Sequence, residues 1–216
     1  MIIHDISLLV TPQTITWDGK EPGFSARWTD KVGVKGASSS QSVLTAGAHT
    51  GTHVDAPLHF VPGGLTTDAL DLNTLVGPAE VIEMYGRSPI TAADLEHANI
   101  APKAERLLLK TDNTRFGRLR DPKFHTDYTG LAPSASEWLV HHGVRLVGVD
   151  YLSVGPYGTV NTETHRILLG AGVVVLESLV LDNIAAGEYL LLALPPKFAG
   201  LEASPCRCVL VEGGLG

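Results

Sequence analysis

The chain has 216 residues, of which 44% are hydrophobic and 18% are charged, and its formal net charge is −7. This length suits one well-packed domain, and the low charged fraction suggests extensive burial in a core or against another subunit. The acidic balance argues against a nucleic-acid partner, because phosphate binding needs a basic face. The sequence shows neither a signal peptide nor an apolar run long enough for a membrane helix, so we expect a cytoplasmic protein without membrane partners.

The first forty residues differ in composition from the rest of the chain. Pro12, Gly19, Pro22 and the serine run at 38–40 fall in this segment, and they indicate loops and edge structure. We interpret residues 1–40 as an N-terminal arm that covers an active site or reaches across to a partner.

Residues 48–60 read AHTGTHVDAPLHF and place three histidines and an aspartate within eleven residues. Imidazole nitrogens and a carboxylate oxygen are the ligands that catalytic divalent metals prefer. His53 and Asp55 are two residues apart, so their side chains project to the same side of an extended segment. Gly51 permits a tight turn that folds His49 back toward His53. This segment therefore predicts a metal site.

His59 follows the rigid Pro57 and is the nearest candidate for proton transfer. Three ligands leave coordination positions open for water, and a proton donor or acceptor is then needed for the leaving group. The alternatives are that His59 is a further ligand or only packs, and that all these histidines are ordinary core or surface residues. The density of the motif favours the metal site.

Downstream of the motif, six nearly continuous apolar segments predict strands that are buried on both faces. They are Ala79–Tyr85, Arg106–Asp112, Arg145–Leu152, Val173–Ser178, Glu188–Leu194 and Arg207–Glu212. Between strands, one helix opens with a capping-box-like Thr91–Asp94, a second opens at Ser134–Glu137 and closes at Gly143, and a third runs from Glu163 to Leu169. Helices between buried strands predict an α/β fold, and we see no boundary that would divide residues 1–216 into more than one domain.

The second half of the chain adds two candidate ligands and a cysteine pair. His165 lies in the third helix and Glu177 lies at a strand end, where functional side chains commonly emerge in α/β folds. Each is a weak signal alone, because Glu177 can equally be an edge charge. A disulfide between Cys206 and Cys208 would close a strained ring, so we interpret both as small buried hydrophobic residues rather than metal ligands.

The string HTGTHVDAPLHF resembles the signature of the cyclase-type metal-dependent hydrolases, a family that includes bacterial kynurenine formamidase and isatin hydrolase. GVDYLSVGP, THRILL, the strand that ends at Glu177 and EYLLLALPPKFAGLEASPCRCVL resemble later blocks of that family in the same order. The resemblance implies a swivelling β/β/α domain with a barrel-like mixed sheet. It also implies a homodimer in which the arms interlock.

The resemblance further implies two divalent ions per subunit, with Zn²⁺ or Mn²⁺ as the candidates. His49, His53 and Asp55 match the ligands of the first ion, and Asp55 bridges to a second ion held by His165 and Glu177. The implied reaction is hydrolysis of an aromatic formamide, N-formylkynurenine being the specific example, by metal-activated water.

His59 matches the catalytic proton donor and acceptor of the family, and Trp17 matches an arm tryptophan that contacts the aromatic substrate. The turn after Trp17 is Asp-Gly-Lys rather than the usual Pro-Gly-Asp, and Trp28 is a second aromatic that can take the same role. Gly155-Pro156-Tyr157 also departs from the Asp-Pro of the formamidases. These departures leave the substrate open, so an isatin-like lactam or lactone is the alternative substrate. A non-catalytic metal-binding protein that has kept the ligands is the opposing class of function.

Overall fold

The structure is a computed structural model that describes residues 1–213. Its strands are β1 (Ile2–Asp5), β2 (Ser25–Asp30), β3 (Gln41–Thr45), β4 (His53–Asp55), β5 (Val76–Met84), β6 (Arg106–Thr111), β7 (Leu146–Val149), β8 (Val174–Glu177), β9 (Gly187–Leu194), β10 (Ala203–Pro205) and β11 (Arg207–Glu212). Its α-helices are α1 (Leu72–Leu75), α2 (Ala92–Glu96), α3 (Asp112–Arg115), α4 (Pro133–His141) and α5 (Thr159–Gly170).

Nine of the strands form one mixed sheet in the order β1–β11–β9–β5–β6–β7–β8–β4–β10. The run from β5 to β8 is parallel, and the strands on both sides of it pair antiparallel. The sheet curls into a half-barrel, which confirms the predicted α/β class with a barrel-like mixed sheet. All six predicted strands are present, with ends shifted by a few residues.

Burial on both faces explains the continuous apolar runs of the central strands. In β6, Leu107 and Leu109 pack with residues of α2, α4 and α5, whereas Leu108 joins a second cluster on the opposite face. Every residue of β6, β7 and β8 is buried. Such two-sided burial is typical of parallel strands that are covered by helices.

The same prediction is wrong for the antiparallel strands β9 and β11. Both strands alternate between buried and more accessible residues. The cluster under α2, α4 and α5 draws on β5 to β8 and contains no residue of β9 or β11. These two strands therefore bury one face fully and leave the other partly open, as antiparallel strands commonly do.

The helix starts were predicted with mixed success. Thr91 and Asp94 form the expected capping box at the start of α2. The predicted start of the second helix at Ser134 is wrong, because α4 begins at Pro133 and has no side-chain cap. Proline suits this first helical position, where its missing N–H would have no partner anyway.

The third predicted helix is longer at its beginning than the sequence indicated. Helix α5 starts at Thr159, directly after Gly158, which has a φ of 107°. The apolar spacing marks only the part of the helix that packs inward, so the polar first turn escaped prediction. His165 lies in the middle of α5 and is buried.

The N-terminal segment has two distinct parts. Strand β1 is integrated at one edge of the main sheet, where it pairs with β11. Strands β2 and β3 form a separate two-stranded sheet in which every residue is exposed. Among the described residues, no helix has the length and apolar character needed to span a membrane.

Candidate active site

The turn before β4 places the first histidine of the motif. Gly51 has a φ of 73°, which is the left-handed region that favours glycine. A Cβ at this position would also lie 2.4 Å from Cγ2 of Val10, so a larger residue would clash. The turn brings Nδ1 of His49 to within 3.2 Å of Nε2 of His53, as predicted.

Strand β4 directs two ligand candidates toward the site and one side chain toward the core. His53 and Asp55 are on one face, whereas Val54 joins the apolar cluster on the other face. All three residues are almost completely buried. Because side chains alternate between the two faces of this three-residue strand, the ligand candidates lie on one face and the packing residue lies on the other.

Strand β8 and helix α5 bring the two distant candidates to the same place. His53 pairs in register with Glu177 across β4 and β8, and Nε2 of His53 lies 3.3 Å from Oε2 of Glu177. Nε2 of His165 lies 3.3 Å from Oε1 of Glu177 and 3.9 Å from Oδ2 of Asp55. The five side chains predicted as ligands therefore converge, and Glu177 is buried rather than an edge charge.

Backbone carbonyls orient two of the imidazole rings. Nδ1 of His53 lies 2.8 Å from the carbonyl oxygen of Gly51, and Nδ1 of His165 lies 2.8 Å from that of Asn161. A carbonyl only accepts hydrogen bonds, so each Nδ1 carries the proton and donates it. Both Nε2 atoms therefore present a lone pair to the centre of the site, as metal-ligating histidines do.

Asp55 gives the clearest sign that a cation belongs in the site. Its side chain is completely inaccessible, yet neither carboxylate oxygen accepts a hydrogen bond within the described chain. Nδ1 of His49 lies 3.0 Å from Oδ1 of Asp55, close enough for an ion pair but without hydrogen-bond geometry. A buried carboxylate without hydrogen bonds is strongly destabilising unless a cation balances it.

The donor atoms form two overlapping groups, and the atoms within each group lie within 4.8 Å of one another. One group is His49, Asp55 and His59, and the other is His53, Asp55 and Glu177. Asp55 belongs to both, which matches the bridging position that the family resemblance implied. Nitrogen and carboxylate donors of this kind fit divalent zinc, manganese, cobalt or iron.

The ionisable groups of this cluster perturb one another strongly. Burial lowers the pKa of His49, but the Asp55 carboxylate outweighs burial and raises that pKa to about 9. Burial also lowers the pKa of His59, and this effect exceeds the opposing attraction of the Asp55 carboxylate. His59 is therefore neutral at neutral pH and has a free nitrogen that can accept a proton.

His59 lies on a short 3₁₀ turn, Pro57–His59, directly after β4. Its ring centroid is 4.3 Å from that of His49, and its side chain lines the open pocket above the cluster. This position suits proton transfer to a bound molecule. The same position also places His59 in a ligand group, so the alternative that it is a further ligand stays open.

The pocket has a volume of about 430 Å³ and combines the polar cluster with an aromatic wall. Trp17, Phe60 and Tyr157 line it, and the Phe60 ring stacks on His165 with centroids 4.5 Å apart. The ring centroids of Trp17 and Tyr157 are 5.9 Å apart, so the arm tryptophan forms part of the pocket wall. Trp28 instead lies on the exposed hairpin of β2 and β3 and is not among the pocket residues.

Three functional candidates escaped the sequence reasoning. Phe60 is the last residue of the motif, so its proximity to His59 was an available signal. Glu202 lies 3.6 Å from Nε2 of His49, and Glu21 lines the pocket from the arm. Glu202 falls within one of the blocks that carry the family resemblance but in no ligand pattern, Glu21 falls in neither, and only the folded chain brings them to the site.

Comparison with known proteins places the chain among related sequences. Residues 4–156 match a family model described as "Putative cyclase". A kynurenine formamidase of Salinibacter ruber (strain DSM 13855 / M31) is 37% identical over 210 residues, which are 97% of this chain and 97% of the relative.

Solved structures share the fold over nearly the whole chain. A predicted metal-dependent hydrolase from Bacillus stearothermophilus is 30% identical, has a TM-score of 0.81, and matches 97% of each chain. Isatin hydrolase A from Ralstonia solanacearum is 25% identical with a TM-score of 0.81, over 98% of this chain and 92% of that one. The family resemblance inferred from the motif blocks is therefore confirmed, and this chain belongs to the cyclase family.

Proposed function

We propose that the protein hydrolyses the formyl C–N bond of an aromatic formamide such as N-formylkynurenine. The family and its relatives make the chain a metal-dependent hydrolase of C–N bonds other than peptide bonds. The observation that carries the proposal is the fully buried carboxylate of Asp55, which accepts no hydrogen bond, among converging donors at the base of an aromatic pocket. The 37% identity to a kynurenine formamidase supports the formamide as substrate.

The chemistry divides between the bound cation and the side chains around it. This donor set would hold a divalent ion, which when bound would supply polarisation of an amide carbonyl and a lowered pKa for a water molecule. Neutral His59 accepts the proton of the attacking water and returns it to the departing aromatic nitrogen. Trp17, Phe60 and Tyr157 hold the ring of the substrate and exclude water from that side of the pocket.

We propose two ions per subunit, with zinc or manganese as the candidates. The sharing of Asp55 between two donor groups supports two neighbouring positions. His165 supplements the second group through its Nε2, which lies 3.3 Å from Glu177. Metal analysis of protein purified without chelator measures the stoichiometry, and a value near two supports this arrangement.

Ring opening of an isatin-like lactam is the second candidate function. Isatin hydrolase A from Ralstonia solanacearum shares the fold over 92% of its chain, and the turn after Trp17 departs from the formamidase pattern. The pocket is wide enough for either an open or a fused ring system. A non-catalytic metal-binding role is a further alternative. Measured turnover of either substrate would exclude it.

The decisive experiment strips the protein with chelator, reloads it with Zn²⁺ or Mn²⁺, and measures hydrolysis of N-formylkynurenine and isatin. Fast metal-restored turnover of the formamide supports the proposal. Turnover of isatin alone would replace the substrate and keep the reaction class. Metal binding without turnover of either compound would favour the non-catalytic alternative.

We also propose a homodimer built on the arm, while a cytoplasmic location stays a prediction of the sequence. The hairpin of β2 and β3 exposes Trp28, Val43 and Leu44, each with more than half of its surface accessible. Trp28 and Leu44 lie on one face of the hairpin and Val43 lies on the other, and exposed apolar side chains grouped on one face commonly mark a protein interface. Sedimentation equilibrium checks the mass, and Trp28→Ser with Leu44→Ser should shift it toward that of one chain.

A further inference from the structure

Glu21 is a charged residue in the pocket that the proposed chemistry does not use. It lies on the arm four residues after Trp17, and both side chains line the cavity. The short turn Trp17–Gly19 reverses the chain between them, with Lys20 N–H donating to the Trp17 carbonyl. Within residues 1–213, the Glu21 carboxylate has neither a hydrogen bond nor an ion pair within 4.0 Å, although it is half-buried.

The basic side chains that line the pocket are the imidazoles of His49, His59 and His165, and none of them lies within ion-pair distance of this carboxylate, although His49 attracts its charge. The pocket lining contains no lysine or arginine, and its only other carboxylate is Glu177, at the metal centre. The neighbouring Lys20 is mostly exposed and pairs with Asp18 instead. Burial raises the pKa of Glu21, which means that removal from water has made its charge less favourable. A cation on a bound molecule would therefore gain a strong and otherwise unused partner.

We propose that Glu21 binds an ammonium group on the side chain of the aromatic substrate. This inference rests on the proposed hydrolase function and narrows the substrate class to aromatic formamides that carry an amine. Trp17 contacts the ring while Glu21, on the same segment, receives the ammonium. A neutral lactam such as isatin leaves Glu21 without a partner, and the pocket lining offers no lysine or arginine for a substrate carboxylate.

The test compares two substrates that are as alike as possible except that the side chain of one carries an ammonium group. One is an o-formamidophenyl ketone whose side chain ends in an ammonium group, and the other is the uncharged o-formamidoacetophenone. Glu21→Gln keeps the size of the residue and removes its charge. Glu163→Gln is the matched control, because Glu163 is exposed on α5 and does not line the pocket.

We expect wild-type protein to prefer the ammonium substrate, and Glu21→Gln to lower kcat/KM for it by roughly 10- to 100-fold, as for loss of one charge-assisted hydrogen bond. Hydrolysis of the neutral substrate should change less than 3-fold, and Glu163→Gln should leave both substrates unaffected. An equal loss on both substrates, a loss of bound metal, or no loss at all would overturn the assignment.

Binding of the deformylated products gives a readout that does not depend on turnover. Calorimetry should show that the product with the ammonium side chain binds metal-loaded wild type more tightly than o-aminoacetophenone, and that Glu21→Gln removes the difference. If the formamides are not hydrolysed but this difference is present, the reaction assignment fails and the ammonium site stands. If both formamides are hydrolysed without the difference, only the ammonium site fails.

Discussion

Two neighbouring segments of this protein each carry a pair of metal-ligand residue types at the same spacing, and of the two only one forms a polar centre. His53 and Asp55 flank Val54 in β4, while Cys206 and Cys208 flank Arg207 at the start of β11. The segments are neighbours, because the N–H of Cys206 donates to the carbonyl of Thr52 at 2.9 Å. Both cysteines are free and buried, as predicted, and they pack in the apolar cluster that also contains Val54.

The difference lies in what each pair faces. The side chains of His53 and Asp55 face Glu177 and further imidazole rings, so the lone pairs of these groups point at one another. The cysteines look onto aliphatic side chains, and burial raises the pKa of Cys206 to about 12. A thiol in that setting stays protonated and does not ligate metal. Residue types and spacing are therefore insufficient to predict a metal site, because the side chains that face the pair decide whether it binds a cation.

The largest expected effect in this comparison is that of Asp55→Asn. The change removes the charge that both donor groups share, so we expect metal content to fall and activity to drop by more than 100-fold. This loss would exceed the roughly 10- to 100-fold loss typical of substitutions at residues that only orient the ligands. Plasma mass spectrometry of the reloaded variant, with the assay run in parallel, measures both. Unchanged metal stoichiometry would remove Asp55 from the bridging role.

His59→Ala should lower activity by roughly 10²- to 10⁴-fold, the usual contribution of a positioned acid–base group. Metal content should stay at the wild-type value if His59 moves protons and is not a ligand. A simultaneous loss of one ion would instead assign His59 to the donor group that it shares with His49. Full activity with full metal content would exclude both roles.

Glu202→Gln should have a smaller effect. Oε1 of Glu202 lies 3.6 Å from Nε2 of His49, which is within ion-pair range but beyond hydrogen-bond length. We expect metal affinity to fall about 10-fold, at the lower end for carboxylates that orient a ligating histidine. Competition with a fluorescent zinc chelator measures the affinity, and an unchanged value would show that the contact is incidental.

The cysteine pair should be dispensable for activity. Cys206→Ala with Cys208→Ala should leave metal content and turnover unchanged and lower the free energy of unfolding by about 1 kcal/mol per residue through lost packing. Native Cys206 should also react with iodoacetamide at pH 8 roughly 1,000-fold more slowly than in urea, because its pKa of about 12 leaves little thiolate. Loss of metal in the double variant would contradict the comparison.

Local sequence carries much of this structure. The apolar runs predicted six strands of the main sheet, although only the central parallel strands need apolar residues at nearly every position because they are buried on both faces. The motif at 48–60 predicted the turn at Gly51 and the common face of His53 and Asp55, since both follow from backbone geometry. The short strand β10 and the exposed hairpin escaped prediction because they carry no apolar period, whereas β4 was predicted only as an extended segment.

The sequence by itself determined the ligand types, the local turn at Gly51 and the α/β character of the chain. Only the tertiary structure decided which distant side chains complete the site, because β4 inserts between β8 and β10 in an order unrelated to the chain. That order sets Glu177 opposite His53 and brings Glu202 to His49 and Glu21 to the pocket. The period of apolar residues within a segment predicts which face is buried. Which residues cover that face depends on the pairing of strands that are far apart in sequence.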